Sequence, residues 1–526
     1  MLKKQKTAII AAALALVMAL GGCGGSKGEN GKPGTAASEN AGKTTLVAAS
    51  YSDPKTMNPW SSDARNLTRV AINVFQRLVD RNETDDGYVG VLAESWEEDE
   101  KGIRFKIRQG VKFHEGQELT AEDVVFSLQK GSTFAGVNFG WDWIDFENIK
   151  AEDDYTVYVP YLYPCYLTLA EFSANNMYIM CKETWDKYGD EVSLHPNGTG
   201  PFKMTDWVQG DHLTLTRFAE YWGDAPKLEE IKYRFIAENS QAMIELETGG
   251  VDIVLDVLPL EVENIEGSDK MEMYYGKNIV IDFLHMNCDY EMFKDKKVRQ
   301  AVAYALNFEG IINGNYRGWG EIPCSHITPN IACYSDQFEG DKFPYGTTAN
   351  VDKAKELLAE AGYPNGFDIE IIIDDDSNRI AVAEIVRNNL EAIGINAKIS
   401  SSDYATFSEK IYSGEAKLYL NGVNANSMEP DSALYQRWHS SNIKESGGSN
   451  YTRFNNEEFD KLLDEARGIE NLADRAEPYK KAQAILMDEV PSIGYFIRQA
   501  AAAKNPSLQG LRSYAGETWL QNCYFE

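Results

Sequence analysis

The chain has 526 residues, enough for roughly three or four structural units, and its 51 basic and 81 acidic side chains give a formal net charge of −30. Such acidity excludes sequence-independent nucleic-acid binding and a polybasic grip on anionic lipid, because both need an excess of cations. The hydrophobic fraction of 43% and the charged fraction of 25% exclude global disorder.

The first 22 residues have the layout of a secretory signal peptide. Lysines at the start precede an apolar run over residues 7–20, and two glycines then precede Cys23. The run is shorter than the roughly 20 residues that span a bilayer, which favours a cleaved signal peptide over a retained anchor helix.

Residues 20–23, Leu-Gly-Gly-Cys, resemble a bacterial lipobox, in which the cysteine becomes the first mature residue and carries lipid. The resemblance implies that Cys23 is a lipidation site rather than a reactive thiol. Residues 23–43 are rich in Gly, Ser, Asn, Ala and Lys, which predicts a flexible tether. We therefore expect a lipoprotein on the outer face of the cell membrane, which is the periplasmic side in a Gram-negative cell.

After the tether, strand and helix patterns alternate, which predicts an α/β protein. Strands are predicted over residues 44–49, 104–108, 212–217, 279–286, 367–373 and 396–400, and helices over residues 65–79, 297–306, 351–361 and 379–393. We expect the chain to turn at Gly110 and to form a hairpin there. Further helices are predicted to begin at the polar caps Thr120, Asn350 and Asn455.

The sequence holds no catalytic or metal-ligating constellation at a known spacing. Its six histidines form neither an H-x-H nor an H-E-x-x-H motif, and no C-x-x-C is present. A G-x-S-x-G string at residues 24–28 falls in the predicted tether and not on a strand–turn–helix elbow. We interpret the acidic run at residues 374–376 as a solvated loop, since consecutive carboxylates rarely converge on one ion. No catalytic residue, metal or cofactor is therefore expected.

The cysteines after Cys23 allow two interpretations. Export permits disulfides, and the pairs Cys324–Cys333 and Cys165–Cys181 are near enough in sequence to form them. Free buried thiols are the alternative, and the sequence does not decide between them. The cysteines concerned are Cys165, Cys181, Cys288, Cys324, Cys333 and Cys523.

Several segments, in order, resemble the family 5 extracellular solute-binding proteins, which are the peptide/nickel-type receptors of ABC importers. The longest lies within residues 92–127 and contains LAESW, FKIRQGVKFHEG and LTAEDVVFS. The others are GTGPF at residues 198–202, YWG at 221–223, GVD at 250–252, and KVRQA with YA within 297–305. The resemblance extends from about Thr44 to the C-terminus.

This resemblance implies a two-lobed α/β fold of the periplasmic-binding-protein type (class II) with an extra subdomain and a ligand cleft between the lobes. It places lobe I at residues 44–66, 198–277 and 500–526, a subdomain of lobe I at residues 67–197, and lobe II at residues 278–499. Two segments, near residues 279–286 and 496–503, are expected to cross between the lobes. Hinge closure around the ligand is the implied mode of binding.

The resemblance also implies a function. A monomeric receptor would capture an oligopeptide and deliver it unchanged to a membrane permease with cytoplasmic ATPases. An oligosaccharide or another polar organic solute is the alternative ligand. A secreted hydrolase is disfavoured because the sequence nominates no nucleophile or acid/base pair, and a free nickel ion is disfavoured because no ligand cluster is found. A signalling receptor of the same fold remains a third hypothesis.

One stretch departs from the pattern of peptide-binding relatives. Their second lobe carries an Asp that pairs with the peptide's α-ammonium, in a segment that here contains Gly422, Val423 and Asn424 and holds Asn426 at the Asp position. Asparagine can accept a hydrogen bond but supplies no negative charge, so this route to ammonium binding is weakened. Glu429 is the candidate to replace it.

Four more candidate ligand contacts lie near positions that line the cleft in relatives. Arg379 falls near their carboxylate-binding Arg, with an ordinary surface arginine as the alternative. Asp63 and Tyr495 are expected at the cleft wall. Trp141 is expected to cover the cleft, with packing in the subdomain as the alternative.

Overall fold

The computed structural model describes residues 42–61, 65–82, 87–134, 141–174, 177–425, 427, 429–443, 448–514 and 517–526. The predicted signal peptide, Cys23 and nearly all of the predicted tether lie outside these residues. Within them, no helix has the length and apolar character needed to cross a membrane.

Strands and helices follow one another in mixed order along the described chain. The strands are β1 Thr45–Ser50, β2 Val79–Arg81, β3 Tyr88–Gly90, β4 Ala93–Asp99, β5 Gly102–Ile107, β6 Lys150–Asp153, β7 Thr156–Pro160, β8 Phe202–Val208, β9 His212–Arg217, β10 Glu230–Phe235, β11 Ile253–Val254, β12 Glu272–Tyr275, β13 Val280–Met286, β14 Asp368–Asp374, β15 Asn396–Ser402, β16 Leu418–Asn424, β17 Ser492–Ile497, β18 Ala501–Lys504, β19 Leu508–Gln509, β20 Arg512–Tyr514, β21 Glu517–Trp519 and β22 Tyr524–Phe525. The α-helices are α1 Arg65–Val74, α2 Ala121–Gly131, α3 Thr168–Phe172, α4 Lys182–Tyr188, α5 Asn239–Glu247, α6 Val262–Glu266, α7 Glu291–Lys294, α8 Lys296–Ala305, α9 Phe308–Asn315, α10 Val351–Glu360, α11 Ser377–Ala392, α12 Tyr404–Tyr412, α13 Asp431–Trp438, α14 Glu457–Arg467 and α15 Leu472–Glu489.

The larger sheet has seven strands within the described chain, in the order β12-β18-β11-β1-β10-β9-β8. Its central strand β1 runs parallel to β10 and β11, while the other neighbours are antiparallel. Leu46 and Ala48 of β1 are fully buried and share one core with Leu67 and Val70 of α1. The apolar side chains of this helix therefore fix α1 against the sheet.

A second sheet has five strands among the described residues, in the order β15-β14-β16-β13-β17. β14 runs parallel to β15 and β16, and β13 runs antiparallel to β16 and β17. Its core includes the predicted apolar stripe of α10, Ala354, Leu357 and Leu358. The predicted cap of this helix is confirmed, because the side chain of Asn350 accepts a hydrogen bond from the backbone N–H of Lys353.

In the part of the chain that the structure describes, two neighbouring segments cross between these two sheets. The chain leaves β12 at Tyr275 and enters β13 at Val280, and it leaves β17 at Ile497 and enters β18 at Ala501. Because β12 pairs with β18 and β13 pairs with β17, the two crossings lie side by side. The predicted two-lobed α/β architecture is confirmed, while the boundaries assigned to the lobes stay predictions.

A smaller antiparallel sheet, β4-β5-β7-β6, lies within the predicted subdomain and has its own core with α2. The predicted capping contact of α2 is present, since the backbone N–H of Thr120 donates to the Asp123 carboxylate at 3.0 Å. This sheet gives the segment from β4 to α2 a packed frame that is separate from the seven-stranded sheet.

Three element predictions are corrected. The hairpin expected at Gly110 is wrong, because β5 pairs with β4 and β7 instead of with the segment that follows it. The helix predicted over residues 65–79 ends at Val74, and the chain then extends so that Gln76 can bridge Ile179. The cap of α14 is Asn456 and not its neighbour Asn455, because the Asn456 side chain accepts the first free N–H groups.

The six cysteines that the structure describes are free thiols, so neither of the two pairings that the sequence left open is formed. Cys165, Cys181 and Cys523 are buried. Burial raises the pKa of Cys523 to about 12 and that of Cys333 to about 11. The thiolate, which is the nucleophilic form, is therefore suppressed at both sites.

Two histidines are buried together beside β17. His285 on β13 places Nδ1 2.7 Å from the hydroxyl of Ser492, and His326 donates from Nε2 to the carbonyl oxygen of Ser492 at 3.0 Å. The ring of Phe283 lies 5.5 Å from that of His326. Burial lowers the pKa of His285 to about 3 and that of His326 to about 4, so both imidazoles are neutral in the folded protein at pH 7.

We predict that these histidines make the fold acid-sensitive. An unfolded histidine titrates near pH 6.5, so the stability from the neutral rings is complete above about pH 6.5 and is lost as the pH falls toward 4. The substitution His326→Gln should remove its share, about 2 kcal/mol between pH 7.5 and pH 5. Urea unfolding at the two pH values measures this difference.

The same loss of stability in the wild type and in His326→Gln would contradict the prediction. His212→Gln is the control, because Asp211 and Asp206 raise the pKa of His212, which is the opposite direction. This variant should not flatten the acid-dependent loss.

Candidate functional site

Two cavities open where the chain crosses between the sheets. The first, of about 120 Å³, is lined by residues 277–280, by β18 and by α1. The second, of about 260 Å³, is lined by the ends of β14 and β17 and by residues 256–259. The residues that line both are Arg65, Asp256, Val257, Arg498 and Gln499. The shared lining makes the cavities two chambers of one cleft.

An ion pair marks the crossing itself. Arg498, the first residue after β17, donates from Nε and Nη2 to the two carboxylate oxygens of Asp282 on β13, at 2.7 and 2.6 Å. The Asp282 side chain is 6% exposed, whereas that of Arg498 is 37% exposed and faces the cleft. The carboxylate of Asp282 raises the pKa of Arg498, so the guanidinium stays charged.

A second ion pair lies at the lobe of the seven-stranded sheet. Arg69 of α1 donates to both carboxylate oxygens of Asp256 at 2.7 and 2.8 Å, and it also donates to the carbonyl of Leu255. Arg65, one turn earlier on α1, lies 3.6 Å from the same carboxylate. Burial alone would raise the pKa of Asp256, but Arg69 and Arg65 outweigh it and hold the pKa below its usual value.

The second chamber combines a third ion pair with aromatic rings. Arg379, in the first turn of α11, pairs with Asp374 at the end of β14. The rings of Tyr316 and Phe496 stack at 3.6 Å, and Trp319 also lines this chamber. Such a surface offers both charged partners and flat apolar faces to an organic solute.

The acidic run at residues 374–376 is only partly the solvated loop that we predicted. Asp374 is buried and paired, while Asp375 and Asp376 are exposed. The Asp376 side chain caps α11 by accepting the backbone N–H of Arg379. In the described chain, no group of three or more His, Cys, Asp or Glu side chains is arranged to hold a metal ion.

Three predicted ligand contacts come together at the cleft. Arg379 and Tyr495 line the second chamber, and Asn424, at the end of β16, lines the first. Tyr495 is 1% exposed, and its burial raises the pKa of the phenol well above the usual value. These three residues come from three different elements that meet at the crossing.

Two more predicted residues lie just behind this surface. Gly422 pairs with Asp282 across β16 and β13, and a Cβ built on it would lie 2.9 Å from Nη2 of Arg498. Val423 is buried in the shared core and lines a small separate cavity behind the sheet with Gly422. Both residues therefore lie within the cleft wall and do not line either chamber.

Trp141 and Glu429 are not among the described residues that line the two chambers. Glu429 is buried and pairs with Arg475 at 3.2 Å, and the Trp141 indole donates to the carboxylate of Glu171 at 3.1 Å. Arg475 also donates to the backbone carbonyl of Tyr166 in the predicted subdomain. Glu429 thus lies at a buried polar contact between that subdomain and α15, whereas Trp141 packs within the subdomain, which was its alternative.

Asp63, Asn426 and the lipidation candidate Cys23 lie outside the described residues, so their roles stay predictions.

Among the charged residues described at the cleft, Arg379 was predicted from the sequence as a ligand contact and the others were not. The sequence nevertheless contains a pattern that could have indicated two of them. Asp282 interrupts the apolar run of β13, and Arg498 directly follows the apolar run of β17. A charge inside an otherwise buried strand needs a partner, and each of these two residues is the partner of the other. Arg65 and Arg69 carry no comparable sign, since arginines on one helix face are usually solvated.

Two α/β lobes, two adjacent crossings and a cleft at the crossings define a two-lobed solute-binding protein. The family description "Bacterial extracellular solute-binding proteins, family 5 Middle" matches residues 87–445. The chain belongs to this family and is an extracytoplasmic solute-binding receptor of ABC importers, as the motifs had indicated.

Individual relatives agree with this assignment. The heme-binding protein A of Haemophilus influenzae is 28% identical over 538 residues, 96% of each chain. The glutathione-binding protein GsiB of Escherichia coli (strain K12) is 27% identical over 479 residues, 88% of this chain and 91% of that protein. The solved structure of the periplasmic binding protein DppA from Helicobacter pylori, in complex with peptide STSA, aligns with a TM-score of 0.80 at 25% identity. This alignment covers 92% of this chain and 98% of the other.

We predict that Gly422→Ala disturbs the crossing. The added Cβ would lie 2.9 Å from Nη2 of Arg498 and 3.0 Å from Oδ1 of Asp282, which forces the ion pair to shift. The free energy of unfolding should fall by about 1–3 kcal/mol, measured by urea denaturation.

Gly314→Ala is the matched control. Its Cβ would have Ile385 at an ordinary 3.6 Å, and a helical Gly→Ala change is neutral or slightly stabilising. Equal stability of the two variants would contradict the role given to Gly422.

Proposed function

We propose that the protein is a lipid-anchored monomeric receptor that captures oligopeptides in the cleft and delivers them to an ABC permease driven by cytoplasmic ATPases. The cleft's mixed lining carries the proposal. It presents the guanidiniums of Arg379 and Arg498, the carboxylate of Asp376 and the amide of Asn424 beside aromatic rings. A peptide matches this lining with charged ends, backbone amides and side chains of varied polarity.

The likeness to the peptide-complexed Helicobacter pylori protein supports a peptide ligand. We assign ligand contacts to Arg379, Tyr495 and Asn424, and we keep Asp63 and Asn426 as predicted neighbours of the same cleft. Two chambers with shared walls suit an elongated solute better than a compact one.

In this proposal the protein binds and delivers the solute and catalyses no reaction on it. Closure of the lobes at the two crossings would bury the solute, and the closed form would be what the permease binds. A ligand shifts the balance between open and closed forms only by its difference in affinity for the two. The solute should therefore leave the protein chemically unchanged.

A polar organic solute such as an oligosaccharide is the second candidate. The rings of Tyr316, Trp319, Tyr495 and Phe496 in the second chamber favour it, because aromatic faces pack well against sugar rings. Nothing in this alternative changes the receptor role itself.

We predict that the purified protein retains or accepts peptides. After denaturation, mass spectrometry of the released small molecules should show peptide masses, and added peptides should raise the melting temperature. A ligand at about one hundred times its dissociation constant adds about 2.7 kcal/mol of stability. Oligosaccharides tested in parallel should give no shift.

Release of a saccharide, or a thermal shift with oligosaccharides alone, would replace the peptide by the second candidate. A bound solute recovered in cleaved form would contradict the proposed absence of catalysis.

We propose further that Cys23 carries the lipid that holds the mature protein at the membrane. Anchoring by acyl chains yields about 0.8 kcal/mol per buried methylene and needs more than one chain, as a diacylated cysteine would provide.

The substitution Cys23→Ser should move the protein from the membrane fraction to the soluble extracytoplasmic fraction, which immunoblotting of separated fractions measures. Cys523→Ser is the control, because this thiol is buried far along the chain and should leave the distribution unchanged. Membrane retention of Cys23→Ser would remove the lipid anchor from the proposal.

A further inference from the structure

The first chamber is strongly cationic although the whole protein is acidic. Of the lining residues that the structure describes, Arg65, Arg69, Lys277 and Arg498 are cations and Asp256 is the single carboxylate. The chain as a whole has a formal net charge of −30. A local excess of positive charge on such a background favours an anionic group in this chamber.

The arginines at this chamber differ in how many of their guanidinium nitrogens donate hydrogen bonds to a carboxylate. Arg69 gives both Nη atoms to Asp256. Arg498 gives Nε and Nη2 to Asp282, which leaves Nη1 outside this pair. Arg65 approaches Asp256 at only 3.6 Å, which is beyond a hydrogen bond, and that carboxylate is already held at both oxygens. Arg65 thus makes the weaker, outer pair with Asp256 and adds a further cation at the cleft.

Arg65 and Arg498 also act on each other. Desolvation inside the cleft lowers the pKa of Arg65, and repulsion from Arg69 and Arg498 lowers it further, against the attraction of Asp256. Both Arg65 and Arg498 line both chambers. An anion placed between their guanidiniums would turn this repulsion into two attractive contacts.

We propose that Arg65 and Arg498 together bind a carboxylate of the solute at the junction of the two chambers. Arg65 stands on α1 beside the seven-stranded sheet, and Arg498 stands on the crossing after β17, so the bound group would contact both sides of the cleft. The planar guanidinium fork matches a carboxylate in two parallel hydrogen bonds. The inference rests on the proposed receptor function and adds the chemical class of the ligand's end.

The site also gives the solute a direction. Among the described residues, the second chamber is lined by four carboxylates, Asp256, Asp282, Asp374 and Asp376, against three guanidiniums, Arg65, Arg379 and Arg498. A positively charged or hydrogen-bond-donating end of the solute therefore fits the second chamber. This direction is opposite to the one that the resemblance implied, in which Arg379 takes the carboxylate and the segment at Asn424 takes the amino end.

The test compares Arg65→Gln, Arg65→Lys and the wild type by thermal shift and by titration calorimetry. The probes are trialanine with a free carboxylate, its C-terminal amide, succinate and inorganic phosphate. Arg104→Gln is the matched control, because Arg104 is a similarly exposed ion-paired arginine outside the cleft. The substitution at 42%-exposed Arg65 leaves no buried charge behind, so the variant should fold.

We expect the free-acid tripeptide to bind the wild type at least tenfold more tightly than the amide. Arg65→Gln should weaken the acid at least tenfold and leave the amide unchanged. Arg65→Lys should recover part of the loss, and Arg104→Gln should behave as the wild type.

Each other outcome has a definite meaning. Equal binding of acid and amide, or an unchanged affinity for the acid in Arg65→Gln, overturns the anion site while the peptide receptor stands. Binding of succinate but not of tripeptides, lost in Arg65→Gln, supports the site and removes the peptide assignment. Binding of phosphate in preference to both carboxylates overturns the carboxylate assignment. Absence of binding by every probe overturns the anion site, while the peptide assignment is decided by mass spectrometry of the molecules that the purified protein retains.

Discussion

The ion pair between Arg498 and Asp282 is the interaction on which the cleft depends. It joins β13 and β17 at the point where the second crossing leaves the five-stranded sheet, and Gly422 on β16 leaves just enough room for it. A buried carboxylate without a partner is expensive, so Asp282 requires the guanidinium to stay in place. The pair thus fixes an arginine at the junction of both chambers.

Paired charges recur on each side of this junction for the same reason. Arg69 with Asp256 and Arg379 with Asp374 hold cationic groups at the cleft wall in fixed positions, which keeps their side-chain entropy low before a solute arrives. A guanidinium with one occupied edge still presents its other donors. Preorganised pairs therefore give an acidic protein a cleft that can accept an anion without unpaired buried charge.

Much of the fold could be predicted from the sequence, because its signals are local. The alternation of β9, the stripe of α10 and the cap at Asn350 each follow from spacing within one element. The predictions of strand partners and helix ends were wrong where pairing with distant segments determines the structure. β5 takes its partners from β4 and β7, and α1 stops at Val74 because Gln76 is needed by a strand bridge far along the chain.

The site was less predictable than the fold for a physical reason. Arg379, Tyr495 and Asn424 followed from resemblance and do line the cleft. Two of the three ion pairs described at the cleft join residues far apart in sequence, Arg69 with Asp256 at 187 positions and Arg498 with Asp282 at 216. No spacing rule connects such residues in a sequence. Tertiary pairing of distant strands, β13 with β17 and β1 with β11, brings them together.

The two crossing segments link the ligand's contacts to the relative position of the two lobes. A solute held by Arg498 touches the crossing segment itself, whereas one held by Arg65 touches the helix beside the seven-stranded sheet. Contacts of the second kind alone would not distinguish an open cleft from a closed one, since they belong to a single lobe. Arg65 and Arg498 can both contact one bound group at only one separation of the two sides of the cleft. The group therefore binds the closed and open forms with different affinity, and a ligand needs this difference to drive closure.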